Sequence, residues 1–568
     1  MELRDRGLAR LIRAFVAVVA VLLSVPAAAA AQDPRLPQSE TVPPRSFERS
    51  AKQVERIAER ASKVREARRA GPLDPTAYTR GPGRWQVSFF RNRKELVQVQ
   101  VDDRSGAILE QWSGYQVAWR MARGYPGAFG RKLNAPYVWI PLCLLFLAPF
   151  VDFRRPLRLL HLDLLVLLGF GASHVFFNRG EIGVSVPLVY PVLLYLLVRM
   201  LLAGLRPRER PGRLVPHVPL AALAVLLVCL VTFRVALNVV DSNVIDVGYA
   251  GVIGADRIAD GDPLYGDGFS EDVGKGDTYG PVDYLLYVPF EQAMRWSGRW
   301  DDLPAAHGAA IAFDLLTIAV LLLLGRALRP GREGTALGVA LAYAWAAYPY
   351  TAFALETNSN DTLVALACAG ALLAFARRSA AATGVAVGLG AAAKFAPLAL
   401  APLFARRRPL VFALALAVTI AVTVVPFIPD GGLRELYDRT LGYQAARGSP
   451  FSVWGQTDLD WLQTLVKCAG VALALAVAFV PRRPDDRQLA ALGAAVLIAL
   501  QLPVNHWFYL YVVWFVPFVL VTVLGAYRAT APPAPAADGS IGRARPSRPP
   551  PAPRSATDPR SPSRSAPA

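Results

Sequence analysis

Charge is scarce in this sequence. Only 18% of its 568 residues are Asp, Glu, Lys or Arg, against about 25% in ordinary soluble domains. Cysteine is scarcer still: Cys143, Cys229, Cys368 and Cys468 all lie inside apolar blocks, and none falls in a CxxC spacing. A disulfide framework and a zinc site are both left without support. The five histidines are scattered, with no HExxH and no HxH, so no multi-ligand metal site is expected. No nucleotide-binding Rossmann segment is found, and no cofactor is implied; a divalent cation is not indicated. The net charge of +18 would suggest nucleic acid in a soluble protein. Here the arginines sit mostly in short loops between apolar blocks and in the tail, which is the pattern of topogenic charge. Nucleic acid is therefore not an expected partner.

What the sequence has in excess is apolar residues, 54% of the chain, with mean hydropathy +0.33. They come in blocks of about 16–24 residues, long enough to cross a hydrocarbon core about 30 Å thick. The fold class expected is an α-helical polytopic membrane protein of about eleven full spans. These fall near 137–153, 157–177, 183–203, 214–237, 305–328, 334–352, 361–377, 409–428, 461–480, 487–503 and 507–527. Residues 380–404 carry Gly388, Gly390, Lys394, Pro397 and Pro402 between arginine clusters. They read as a hairpin of two short helices entering and leaving on one side. Residues 1–31 read as a signal peptide or signal anchor, with Arg4, Arg6, Arg10 and Arg13 ahead of an apolar stretch and small residues. The arginine-rich loops (154–158, 206–213, 326–332, 406–408, 482–487) alternate consistently to the cytoplasmic side. The loop 238–304 lies opposite, with eleven Asp and two Glu against one Lys and three Arg. The Pro/Arg-rich tail, 528–568, is expected to be cytoplasmic and disordered.

Residues 32–135 form an extracytoplasmic region. A Pro-rich linker is followed by a charged amphipathic helix over 46–70. Val97, Val99 and Val101 alternate with Gln98 and Gln100 as a strand, a turn follows at Asp102-Asp103-Arg104-Ser105-Gly106, and a second strand covers 107–112. This small α+β region resembles a PepSY-type domain and is expected to fold separately, in a regulatory or acceptor-binding role. Residues 136–213 supply three further spans, and 214–527 the main membrane domain.

Chemistry in a membrane protein gathers where polar residues persist beside apolar spans. In the acidic loop, Asp246 heads a stretch with Tyr249, Ile253 and Ile258 at helical spacing, and Asp241 lies just outside the membrane. The segment 282–296 is amphipathic and too short to span, which places it along the interface. Gly261-Asp262-Pro263-Leu264-Tyr265 and Tyr279-Gly280-Pro281 follow Asp246. Further on come Glu356-Thr357-Asn358-Ser359-Asn360-Asp361, Ala393-Lys394-Phe395-Ala396-Pro397, Arg447-Gly448-Ser449-Pro450-Phe451 and Asn505-His506-Trp507-Phe508. In this order, over 214–527, the motifs resemble the GT-C-type glycosyltransferases. They are most similar to the polyprenol-phosphate-mannose-dependent mannosyltransferases, glycosyltransferase family 87. The resemblance implies a sugar donor on a polyprenyl phosphate and a cell-envelope glycan or glycolipid acceptor. A carboxylate must then deprotonate the acceptor hydroxyl; Asp246 is the first choice and Asp241 the second. Arg447, Lys394 and His506 are the candidates to hold the donor phosphate. Tyr265, Tyr279, Glu356, Asn358, Asn360 and Asp361 are the candidates for sugar or acceptor. For several residues a plainer reading stays open. Arg447 is otherwise a loop arginine, Lys394 snorkels inward, His506 is an interface histidine, and the 356–361 segment caps the helix that starts near 361. For the whole chain, the alternatives are a transporter or lipid flippase and a PepSY-type sensor or scaffold.

Overall fold

The computed structural model describes residues 35–124, 130–269 and 275–528. The expected signal segment and the tail beyond 528 lie outside the described residues.

The N-terminal region folds as two short helices, α1 (Ala51–Ala58) and α2 (Ser62–Arg68), on an antiparallel sheet ordered β1 (Asp74–Thr79), β2 (Arg84–Arg91), β3 (Lys94–Asp102), β4 (Ile108–Ser113). The sequence reading found β3 and β4. It missed β2 and β1, whose DPTAYT has no alternation and is held by pairing with β2. It also merged the two helices into one. Trp85 faces Val101, Val87 faces Val99 and Phe89 faces Val97, all fully buried. That face receives Val54, Ala58 and Val64 from the helices. The Asp-Asp turn has a visible function: the Asp103 carboxylate accepts from the Trp85 indole (2.8 Å) and from the Glu48 and Arg49 amides. The sheet's other face is polar but also covered. Arg123 reaches back to donate to Gln98 Oε1 at 2.7 Å and to the Val117 carbonyl, so the segment 115–123 lies across it.

The rest of the chain is helical. Among the described residues, five helical segments are long and apolar enough to cross a membrane: Leu159–Asn178, Ile182–Leu205, Leu220–Asp241, Pro304–Leu328 and Pro409–Phe427. The other expected spans appear as shorter or interrupted helices. The 334–352 segment, for example, breaks at Tyr348, where Pro349 opens a new helix, as a residue without an amide proton does. The elements needed below are α3 (Pro136–Leu147), α4 (Leu159–Leu168), α5 (Phe170–Asn178), α6 (Ile182–Leu205), α7 (Leu220–Asp241), α8 (Asp246–Asp260), α9 (Pro281–Leu285), α10 (Val288–Ala293), α11 (Pro304–Leu328), α12 (Gly331–Ala347), α13 (Pro349–Glu356), α14 (Asp361–Ala376), α15 (Ala380–Ala393), α16 (Pro409–Val424), α17 (Asp460–Ala476), α18 (Asp486–Gln501) and α19 (Val512–Leu524). The 282–296 segment is two short helices, α9 and α10, rather than one. In the expected hairpin, α15 runs up to Lys394, and the chain returns through a 3-10 turn (Ala396–Leu400) and a single α-turn (Ala401–Phe404).

The arginine-rich loops gather at one end of this bundle. Arg158 donates to the Arg213 carbonyl (3.2 Å), Arg487 to that of Arg208 (3.2 Å), Arg407 to that of Phe375 (2.9 Å) and Arg329 to that of Gly525 (2.6 Å). Residues Arg210–Pro211 pair in parallel with Tyr527–Arg528. The loops 241–246, 277–283, 356–361, 393–395 and 447–452 meet at the other end, and the sheet domain docks there. Gln116 donates to the Gly180 carbonyl, between α5 and α6.

Inside the bundle lies an ion pair the sequence reading did not single out. Arg234 of α7 donates to Asp314 Oδ1 of α11 at 2.6 Å, and the Trp345 indole donates to the same oxygen at 2.8 Å. Arg234 also donates to Thr351 Oγ1 and the Ala346 carbonyl, each at 3.0 Å. Four helices are joined by one guanidinium.

Candidate active site

Four segments meet at the arginine-poor end. The first is the start of α8. Its Gly248 lies directly on the 357–358 backbone: a Cβ there would sit 2.2 Å from the Asn358 carbonyl oxygen. The Asn243 and Ile245 amides donate to the Glu356 and Thr357 carbonyls, and Asn358 donates to Ser242 Oγ and the Asn243 carbonyl, both at 3.0 Å. Asn358 is buried with φ +49°, a conformation asparagine tolerates better than most residues. It ties the turn ahead of α8 to the 357–360 loop, and so fixes where Asp246, the first residue of α8, stands.

The second segment is 279–283. The Gly280 amide donates to the Ala393 carbonyl at 2.9 Å, and a Cβ at 280 would lie 2.0 Å from the Ala392 oxygen. This glycine contact draws the Tyr279 ring to 4.9 Å from Lys394 Nζ. The third segment is 360–361 with Lys394. Asp361 Oδ1 accepts from Lys394 Nζ at 2.7 Å and from the Trp514 indole at 2.9 Å, and Asn360 donates to Asp283 Oδ2 at 2.6 Å. No side chain caps α14; both residues are engaged sideways. Lys394 does reach this end. The fourth segment carries Arg447, whose guanidinium lies 5.4 Å from the Trp119 ring, and His506, whose Nδ1 is 2.9 Å from Ser449 Oγ. Trp119 also meets the Phe451 ring edge-on at 5.6 Å. The sheet domain thus contributes a side chain here, which a fully separate module would not.

The carboxylates differ in access and charge. Asp246 is open to solvent yet walled by protein. That enclosure pushes its carboxyl above the usual aspartate value, although Arg447 and Lys394 pull it down. Asp283 is sealed from solvent, with Oδ1 unpartnered among the described residues. Burial pushes its carboxyl up to about 7, against the pull of Lys394 and the Asn360 hydrogen bond. Asp241 is elsewhere: it accepts from the Lys132 amide (3.0 Å) and lies 3.7 Å from Lys132 Nζ. Enclosure, with Arg447 adjacent, holds the His506 imidazole well below its usual pKa, so the ring is neutral.

Of the residues expected from sequence, Asp246, Tyr279, Asp361, Lys394, Arg447 and His506 come together, with Asn360 held to them through Asp283. Four stand apart. Tyr265 spends its hydroxyl on the Tyr279 carbonyl at 2.8 Å and packs on Tyr284. Asn358 is scaffolding, Asp241 faces Lys132, and Glu356 is buried with both oxygens unpartnered among the described residues. The sequence reading missed Asp283, Trp514 and Trp119. Asp283 had a signal: it is the lone carboxylate between Pro281 and Phe290, and such residues beside membrane cost energy and mark sites. Trp119 had none.

No curated protein matches this chain. One family model does, over residues 278–538; Tyr279, Glu356, Asn358, Asn360, Asp361, Lys394, Arg447 and His506 fall within it, while Asp241, Asp246 and Tyr265 precede it. The family is glycosyltransferase family 87, and residues 278–538 of this chain are similar to its membrane glycosyltransferases.

Proposed function

We propose that the protein moves a sugar, mannose on the family resemblance, from a polyprenyl-phosphate donor to a hydroxyl of an extracytoplasmic glycan or lipid, with Asp246 as general base. One observation supports this above others. Asp246 is a carboxylate open to solvent, with its pKa raised, beside an arginine that forms no ion pair among the described residues. Asp283 is sealed and Asp241 is occupied by Lys132. In the reaction the acceptor oxygen attacks the anomeric carbon, Asp246 takes its proton, and the bond from that carbon to the phosphate oxygen breaks. Polyprenyl phosphate leaves with the electron pair, and Arg447 balances the growing negative charge. Lys394 is already matched by Asp361, so it offers remaining N–H donors rather than unspent charge. Neutral His506 offers a hydrogen bond only. Tyr279 lines the sugar side, and the buried Asn360 and Asp361 hold Asp283 and Lys394 behind it.

The test is transfer of radiolabel from polyprenyl-phosphate mannose, and from other polyprenyl-phosphate sugars, to envelope glycolipid by the purified full chain. No transfer from any donor would sink the enzymatic reading in favour of a transporter, flippase or scaffold. Where transfer is seen, Arg447→Ala should lower kcat/KM for the donor about 10- to 100-fold, the worth of a charge-assisted hydrogen bond. An unchanged kcat/KM would remove Arg447 from the donor phosphate.

The same reading places the arginine-rich end in the cytoplasm. In a cysteine-free background, Ser105→Cys in the β3–β4 turn should react with an impermeant maleimide on intact cells. Arg482→Cys should react only after the membrane is breached. The reverse pattern inverts the orientation.

A further inference from the structure

At the arginine-rich end, away from the residues above, a cavity of about 710 Å³ opens between α4 and α6 and is closed below by the 206–210 loop and Arg487. Its two walls differ in chemistry. One is apolar and faces outward: Leu162, Leu194, Val198 and Leu202 are each about half exposed, at helical spacing along α6 and across to α4. Such a stripe on a membrane helix lies against acyl chains. The other wall is cationic. Arg199 is already satisfied by Asp163, 3.0 Å away. Arg206, Arg208 and Arg210 make no ion pair among the described residues, because the nearby carboxylates are spent elsewhere. Glu209 pairs with Arg528 (3.2 Å) and Asp486 with Arg407 (3.3 Å), while Asp485 caps α18 through the Gln488 amide. Three guanidinium groups are thus concentrated at the mouth of an apolar trough without a salt-bridge partner among the described residues.

We propose that this cavity binds an anionic phospholipid, its phosphate held by Arg206, Arg208 and Arg210 and an acyl chain laid along α6 from Leu194 to Leu202. Guanidinium forks match phosphate oxygens, and basic pockets between membrane helices take lipid head groups in this way. Topogenic charge alone would account for arginines at this end. It would not account for three of them converging, unpaired, on a lipid-facing trough. The chain's own tail is a poor occupant, since residues 529–568 carry six Arg and two Asp and would add like charge. The three arginines and the apolar wall on α4 and α6 precede the matched region, and the proposal does not depend on the transfer reaction.

The experiment uses the full chain in mild detergent, titrated separately with phosphatidylglycerol, phosphatidylcholine and inorganic phosphate, with retained lipid counted by native mass spectrometry. Phosphatidylglycerol should be held in preference to phosphatidylcholine. Arg208→Gln/Arg210→Gln should weaken that binding about thirtyfold, and Arg482→Gln/Arg483→Gln, equal in charge but outside the cavity, should leave it unchanged. Val198→Gln, which keeps every arginine, should weaken lipid binding through the apolar wall, so the proposal stays testable if the double arginine variant does not accumulate. Three results would overturn it. The first is equal weakening by both arginine pairs, which would mean diffuse surface charge. The second is displacement of the lipid by inorganic phosphate at similar concentration, which would mean a soluble-anion site. The third is lipid binding that rises sharply when the chain is cut after 528, which would make the tail the occupant.

Discussion

Asp246→Asn should lower sugar transfer by about 10²–10⁴-fold, the usual worth of general-base help, with the donor KM little changed. The substitution keeps the size of the side chain and its place at the start of α8 while removing the proton acceptor. It does not disturb Arg447 or the Lys394–Asp361 pair, so the phosphate should still bind. A pH signature accompanies it. The protein walls around Asp246 raise its pKa above the ordinary aspartate value. The base is protonated, and transfer falls, below that raised pKa, so the acid limb of the wild-type rate profile should lie above the range of a free aspartate. In Asp246→Asn the limb should vanish along with most of the rate. Asp241→Asn should stay near wild type, because that carboxylate serves Lys132. If Asp246→Asn turns over normally while Asp241→Asn abolishes transfer, the base is Asp241. If both are fully active, the acidic loop is only a solvated connection.

Arg234→Met should be the most damaging substitution for folding. It strands Asp314, 1% exposed, as an unpaired carboxylate between α7, α11 and α12, and breaking one side of a buried pair costs about 3–5 kcal/mol. Low accumulation, or a sharply lower melting temperature in detergent, is expected. Arg234→Met/Asp314→Leu should recover much of the loss, since replacing both partners removes the orphaned charge; the Thr351 and Ala346 acceptors would still lose their donor. A single variant as stable as the wild type would show that the pair carries no folding energy. A double variant no better than the single would assign the cost to those lost carbonyl and hydroxyl contacts instead.

The sequence was legible wherever a local pattern is dictated by its immediate surroundings. Lipid forces long apolar helices, so their places along the chain could be read before their lengths. The β3 alternation was readable because Val97, Val99 and Val101 all face one core. The start of α8 at Asp246 and the interruption at Lys394 were readable from helical spacing and from prolines. β1 was not, because nothing in DPTAYT demands a strand until β2 lies beside it. Glu356 and Asn358 could be noticed as polar residues after a span, but not sorted: one is sealed away and the other pins a turn, and that depends on which helices surround them.

By composition and periodicity alone, the chain was bound to be a helical membrane protein with a small sheet-containing domain ahead of its spans and its arginines collected in alternate loops. These are consequences of transferring side chains between water and lipid, an energy each segment meets on its own. Which carboxylate stays accessible is a different kind of question. Asp241, Asp246 and Asp283 have the same chemistry and lie within one loop. In the packed fold the first faces Lys132, the second stands open beside Arg447 and the third is sealed under Asn360, with Gly248 against Asn358 and Gly280 against Ala392 fixing the segments that carry the last two. The placing of Trp119 against Arg447 was likewise decided by the docking of the whole sheet domain. Such contacts join residues far apart in the sequence, and their energy exists only once the helices have packed.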